Sequence, residues 1–231
     1  AYPTRYNQPT LHESHGIPIA INIGDFLIGE GYRQIALCRL PAERQLPMLH
    51  TAAAAHRTLC IGQGAELAWA RKPHTLTGDE VITIFAQKTS PAFEVALRLG
   101  AYYVTAESSL HTALTTFAAG LGIAYQIRDD LEDLTDQVTT PRRRPTLPMA
   151  ILLEYPHLSS PTRTAVRAWW EQRETAADRT LILHALSLPA IADTLAARYD
   201  AALRQARAAA QEISPLTLQN FLLQLLARVF M

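Results

Sequence analysis

From Ile191 to Glu212 the chain reads IADTLAARYDAALRQARAAAQE, rich in Ala, Leu, Arg and Gln and free of Gly and Pro. These are the strongest helix formers. Within the run, Ile191, Leu195, Tyr199 and Leu203 recur at one-turn spacing, which predicts a helix with one buried stripe. The same signature returns from Ala106 to Asp136, where Leu110, Leu114, Phe117, Leu121 and Tyr125 stay in register. Thr77 and Glu80 form a capping-box pattern ahead of Val81, Ile82, Ile84 and Phe85. Ser214-Pro215 opens a last helix that should end near Phe230. Alternating strand patterns are scarce, so the expected class is all-α. Gly120 and Gly122 each cost roughly 1 kcal/mol inside a helix, which predicts close helix packing there. Proline-marked breaks fall at Pro41, Pro73, Pro141 to Pro148, Pro156 to Pro161 and Pro215, with no repeat or low-complexity linker between them. One helical domain over 1–231 is the expected organisation.

The charge balance narrows the function classes. Twenty-one basic and 21 acidic residues cancel, which gives no support for a nucleic-acid partner. Cys38 and Cys60 lack metal-ligand spacing and are too few for a disulfide framework, so a cytoplasmic setting is expected. The opening AYPTRYNQ has no apolar core segment, and no stretch approaches the ~18 uncharged apolar residues of a membrane helix.

Gln126, Asp129, Asp130 and Asp133 are the strongest local signal. Residues three and four apart share a helix face, so these side chains project into one sector with Glu132 at its margin. Crowded carboxylates repel each other unless cations relieve them, and hard oxygen ligands suit Mg²⁺, which completes its shell with water and phosphate oxygens. Alone, the pattern fits a solvated acidic face countered by Arg128 equally well. It follows a largely apolar run, Phe117 to Tyr125, and partly buried carboxylates are expensive without a partner. A metal-diphosphate complex is a sufficient partner.

Three further groups could meet an anion. Pro91 deletes a backbone N–H and should bend or open the helix at Lys88-Thr89, presenting an ammonium and a hydroxyl together. A merely kinked helix with a solvated lysine fits the same residues. Arg5 lies in an N-terminal segment ahead of Thr10 and His12; an apolar helix follows, interrupted by Asp25, which is expected to be paired in the core. Arg142, Arg143 and Arg144 form a basic run whose guanidiniums match phosphate oxygens bidentately.

In their order along the chain these pieces resemble the trans-isoprenyl diphosphate synthases, or polyprenyl synthetases. Arg5, Pro9, Thr10 and His12 resemble the family's RRGxPTxH segment, with Tyr6 in place of its second arginine. Gly24, Asp25 and Leu27 resemble its GDxLL helix, Lys88-Thr89 its KT motif, and Gln126, Asp129, Asp130 and Asp133 its second aspartate-rich motif. Thr146, Leu147 and Pro148 resemble the TLP that follows. The resemblance implies an isoprenoid synthase bundle of antiparallel helices around a deep apolar cavity. It implies Mg²⁺ held by Asp129 and Asp133 with Asp130 in support, and catalytic roles for Lys88, Thr89 and Gln126. Those three, with Arg5 and Arg144, would bind substrate diphosphate. The implied reaction joins an allylic prenyl diphosphate to isopentenyl diphosphate in a homodimeric enzyme.

The family's first aspartate-rich motif, which precedes RRGxPTxH, has no counterpart in these 231 residues. The stretch between Asp133 and Thr146 is shorter than usual, with arginines where the family has a glycine-lysine pair. Two other readings therefore stand beside the synthase: a class I terpene synthase that cyclises a prenyl diphosphate, which the Tyr6 substitution favours, and a non-catalytic subunit of a heteromeric prenyltransferase.

Overall fold

The computed structural model describes residues 3–134, 138 and 144–230. A short hairpin comes first, pairing β1 (Thr4–Arg5) with β2 (Gln8–Pro9). Its turn residues, Tyr6 and Asn7, sit at φ 52° and 60°, the left-handed conformation that tight hairpins require. Helices follow: α1 (Leu11–His15), α2 (Ile17–Leu37), α3 (Ala42–Arg71), α4 (Gly78–Val104) and α5 (Ser108–Glu132). The C-terminal half adds α6 (Leu147–Glu154), α7 (Ser160–Trp170), α8 (Ala176–Leu186), α9 (Pro189–Gln211) and α10 (Leu216–Phe230). The expected all-α class is what forms.

Local signals explain several boundaries. Thr77 N donates to Glu80 Oε2 at 2.7 Å and Glu80 N to Thr77 Oγ1 at 3.2 Å, the reciprocal capping box that starts α4. Gly78 N also donates to Glu154 Oε1 at 2.7 Å, tying α4 to α6. The helix expected from Ala106 to Asp136 is shorter, running Ser108–Glu132. Glu107 N donates to Thr105 Oγ1 and His111 Nε2 bonds the Thr105 carbonyl, so side chains hold a turn between α4 and α5. At the other end Asp133 is the C-cap, and Asp136 lies outside the described residues.

The long helices run antiparallel, and their register is legible in side-chain pairs. Between α4 and α5, Ser90 donates to the Ala119 carbonyl at 3.2 Å, Arg98 meets Thr115, and Tyr102 stacks on His111. Between α3 and α4, Arg44 reaches the Tyr103 carbonyl while Lys88 pairs with Glu66. Backbones approach closely where glycine permits. A Cβ on Gly122 would lie 2.6 Å from Ser90 Cα, and one on Gly120 would lie 2.6 Å from the Ala202 carbonyl oxygen of α9. Gly62 meets Lys88 N at 2.6 Å and Gln87 C at 2.7 Å in the same sense. The expected opening at Lys88-Thr89 does not occur: α4 is helical straight through Pro91. Gly62 on one side and Gly122 on the other let α3 and α5 press directly on that stretch.

Two apolar clusters fill the bundle. One gathers Trp69, Phe85, Ile127, Trp169 and Trp170, with Trp170 packed edge-on to both Trp69 and Trp169. The other joins α5, α9 and α10 through Leu114, Phe117, Leu121, Leu203 and Leu222. By contrast α2 buries only Ile35, and Ile19, Phe26 and Leu27 are more than half exposed. Asp25 is exposed as well, so the expectation of a paired core aspartate is wrong. α2 meets α3 at Tyr32, bonded to His56, and at Ile35, packed near Met48, about two turns or more beyond Asp25.

Candidate active site

The antiparallel register of α4 on α5 decides which sequence signals meet. Ser90 lies against Gly122. Moving from there toward the start of α4 reaches Lys88, and moving toward the end of α5 reaches Gln126, Asp129 and Asp133. At 1.5 Å per residue these positions rise roughly 3, 6, 10 and 16 Å above the crossing, all toward the same end of the bundle. Thr89 is half-buried beside Lys88, and Gln126 is buried.

Lys88 is held by a residue the motif reading missed. Its ammonium donates to Glu66 Oε2 of α3 at 2.7 Å, and both side chains are about four-fifths buried. The signal that could have found Glu66 is its spacing: it stands one turn beyond Gly62, on the helix face that touches α4. A charged residue in a helix interior is ordinary by itself, and only the α3–α4 register gives it a partner.

The three aspartates divide into different roles. Asp130 is 1% exposed and accepts a hydrogen bond from Leu147 N at 2.8 Å. That N–H belongs to the first turn of α6, whose other free donors include Met149 N, met by Thr146 Oγ1. A carboxylate at a helix N-terminus is favourable, so Asp130 anchors α6 to the acidic turn. Asp129 is half-buried, and burial raises its carboxyl pKa; Arg128 and Arg144 pull it back, while Glu132 and Asp133 push it further up. Asp133 is exposed at the helix end, where Arg144 Nη2 donates to its Oδ2 at 3.2 Å. The same guanidinium nitrogen stands 3.5 Å from Asp130 Oδ1. Among the described residues no three acidic, His or Cys side chains converge as a ready metal cage. Arg142 and Arg143 lie outside the described residues.

Arg128 proves to be more than a local counter-charge. It pairs with Glu132 at 3.4 Å, donates to the Val229 carbonyl, and sits over the rings of Tyr125 (4.9 Å) and Phe230 (5.4 Å). The end of α10 is thereby pinned beside the acidic turn. Arg5 is exposed on the hairpin, 5.4 Å from the ring of its neighbour Tyr6. Asn7 occupies the position of the motif's glycine, and Asn tolerates positive φ better than most residues.

An open apolar cavity of about 610 Å³ lies between α2, α3 and α4. Its α4 wall is Ala92, Val95 and Leu99, which follow Lys88 on one helix face. The acidic turn of α5 stands at the Lys88 end of the bundle and contributes no residue to the cavity wall.

Residues 2–144 match the family model described as Polyprenyl synthetase. The chain belongs to this family. Family likeness extends to the whole fold: a geranylgeranyl pyrophosphate synthetase from Pyrococcus horikoshii superposes with a TM-score of 0.83 at 22% identity, over 98% of this chain and 71% of that one. Among curated relatives, a farnesyl diphosphate synthase of Geobacillus stearothermophilus is 32% identical over 135 residues, 56% of this chain and 45% of that protein. A variediene synthase of Aspergillus brasiliensis is 29% identical over 137 residues, 59% of this chain and 19% of that protein. The chain thus aligns with less than half the length of these curated family members. No single helix among the described residues is long and apolar enough to cross a membrane.

Proposed function

We propose that this chain forms, as one domain, the catalytic core of a prenyl diphosphate synthase. It would join an allylic prenyl diphosphate to isopentenyl diphosphate with Mg²⁺. What supports this most is that Lys88, Gln126, Asp129 and Asp133 lie toward the same end of the bundle, and that Ala92, Val95 and Leu99, which follow Lys88 on its helix face, wall an apolar cavity. An anionic head and a hydrocarbon tail need that combination.

Each residue has a task in this reading. Asp129 and Asp133 share one helix face and fit a hard divalent cation whose remaining ligands are water and diphosphate oxygens. Burial, with a smaller push from Glu132 and Asp133, raises the Asp129 pKa, and a bound cation would offset both. Bound there, Mg²⁺ would stabilise the negative charge that builds on the departing diphosphate. Asp130 holds the turn in place through Leu147. Lys88, Thr89 and Gln126 bind the allylic diphosphate, with Glu66 orienting the lysine; Arg5 and Arg144 add guanidinium contacts. The allylic C–O bond breaks with its electron pair leaving on diphosphate. The isopentenyl double bond then attacks the cation, and loss of a proton restores the alkene. A homodimer is proposed because α2 leaves a long apolar face uncovered, and the free thiols Cys38 and Cys60 suit a reducing cytoplasm.

A second reading, terpene cyclisation, draws on Tyr6, a phenol where the family motif has a guanidinium. One assay separates the readings: the intact protein is given an allylic diphosphate, isopentenyl diphosphate and Mg²⁺. Elongated alcohols after phosphatase treatment support the synthase. Hydrocarbons formed from the allylic substrate alone would replace it with the cyclase. Neither product leaves a non-catalytic subunit.

A further inference from the structure

The stacked rings of Tyr102 and His111 wall a pocket of about 450 Å³ where the end of α4 meets the starts of α3 and α5. It lies far from the acidic turn, since Tyr102 stands roughly 21 Å along α4 from Lys88 at 1.5 Å per residue. Arg98, Ser108 and Thr112 complete its polar wall, and Glu43 of α3 is exposed at its rim. It shares no lining residue with the apolar cavity between α2, α3 and α4.

Two buried groups in this wall lack partners. His111 is 4% exposed. Its Nε2 lies 3.0 Å from the Thr105 carbonyl, which can only accept, so Nε2 carries the ring proton. Burial holds the imidazole pKa below its usual value, the Thr105 bond pulls it up, and Arg98 presses it down again. The ring is therefore neutral, and Nδ1 keeps a bare lone pair with no hydrogen-bond partner among the described residues. Arg98 directs Nη1 to Glu94 at 2.5 Å and Nη2 to the Tyr102 hydroxyl at 2.8 Å, which leaves Nε buried and unpartnered. The start of α5 adds further donors. Glu107, its N-cap, makes no side-chain cap bond and accepts from Ser109 Oγ instead, so the first amides of the helix stay open to an anion.

Buried polar groups without partners are costly, and this set specifies what would satisfy it. Arg98 and the α5 amides need several acceptor oxygens, whereas His111 Nδ1 needs one O–H. A neutral alcohol has too few acceptors. Sulfate has the acceptors but no proton at neutral pH. Hydrogen phosphate has both. We propose that this pocket binds inorganic phosphate, held between Arg98, the first amides of α5 and His111 Nδ1, which accepts its O–H. Glu94 already balances Arg98, and Glu43 stands at the rim. Recognition therefore rests on directed hydrogen bonds rather than on net charge. The bound ion links α4 to the first turn of α5, and the site is independent of the synthase reading.

Calorimetric titration of the intact protein at neutral pH without Mg²⁺ tests this. Phosphate should bind roughly tenfold more tightly than sulfate, because sulfate leaves a buried acceptor unmet. Methyl phosphate, largely without a proton at this pH, should bind like sulfate, which separates free phosphate from a phosphate ester. His111→Phe keeps a ring stacked on Tyr102 but removes the lone pair, and should lower phosphate affinity to that of sulfate. Lys88→Met, at the charged end of the bundle, should leave the preference for phosphate unchanged. If His111→Phe does not fold, the wild-type protein decides through the ¹⁵N resonance of His111 Nδ1, which should move with phosphate and not with sulfate. Absence of phosphate binding, equal binding of the three anions, a preference that survives His111→Phe or disappears in Lys88→Met, or an unmoved resonance would each overturn the inference.

Discussion

Asp129 sits where its surroundings disfavour the ionised form. Burial raises its carboxyl pKa, and Arg128 and Arg144 offset only part of that. The folded state therefore holds the proton more readily than the unfolded chain does. The resulting stabilisation is complete below the unfolded carboxyl value and is lost as pH rises through the folded one. The charged form is therefore a burden on the fold. Asp129→Asn should raise the melting temperature at neutral pH, with the gain shrinking as the pH falls into the carboxylate range, and should abolish Mg²⁺-dependent turnover. A gain equal at every pH would show that charge is not the cause. Arg144 gives a second test at this scale, since it neutralises Asp133 and Asp130 where a cation would bind. Partly exposed pairs of this kind are worth about 0.2–1 kcal/mol. Arg144→Ala should therefore tighten Mn²⁺ binding less than tenfold without diphosphate and weaken it when diphosphate is present. Looser Mn²⁺ binding in both conditions would contradict the assignment. Helical spacing made the acidic turn legible in the sequence. It could not separate Asp130 from its neighbours, because the Leu147 N–H that claims it comes from another helix.

At the scale of elements, small residues fix what the apolar pattern leaves free. A stripe at one-turn spacing says that a helix is buried, but not at what height it crosses its neighbour. Gly62 and Gly122 supply that height by letting backbones touch at Gln87–Lys88 and at Ser90. Gly62→Ala would put a methyl group against backbone that cannot rotate aside. Alanine normally favours a helix over glycine by about 1 kcal/mol, yet overpacking should reverse the sign, at about 1–3 kcal/mol. Each kcal/mol corresponds to ~2–4 °C of melting temperature in a chain of this size. A rise on calorimetry would show that α3 and α4 are less tightly apposed than this. Helix cores, the capping box at Thr77 and the final helix to Phe230 were all readable in advance. The unbroken run of helix through Pro91 was not, because local proline chemistry yielded to packing from two sides.

For the whole molecule, the contrast between the two halves matters most. Trp69, Trp169 and Trp170 anchor a dense core beneath the acidic turn, whereas α2 presents Ile19 at 53% and Phe26 at 68% exposure. Contiguous apolar surface of that kind marks an interface. Light scattering of the purified protein should give twice the chain mass, and Phe26→Asp should shift it toward the monomer. A monomeric wild type would withdraw the dimer. The antiparallel bundle and the order of its motifs could be read from the sequence. The cavity walls could not, since they are drawn from three helices whose registers depend on contacts far apart in the chain.

The bond from Leu147 N to Asp130 has one more effect. Together with Arg144 on Asp133, it joins the end of α5 to the start of α6. Loss of the Asp130 carboxylate would therefore release two helix ends at once, the last turn of α5 and the first turn of α6.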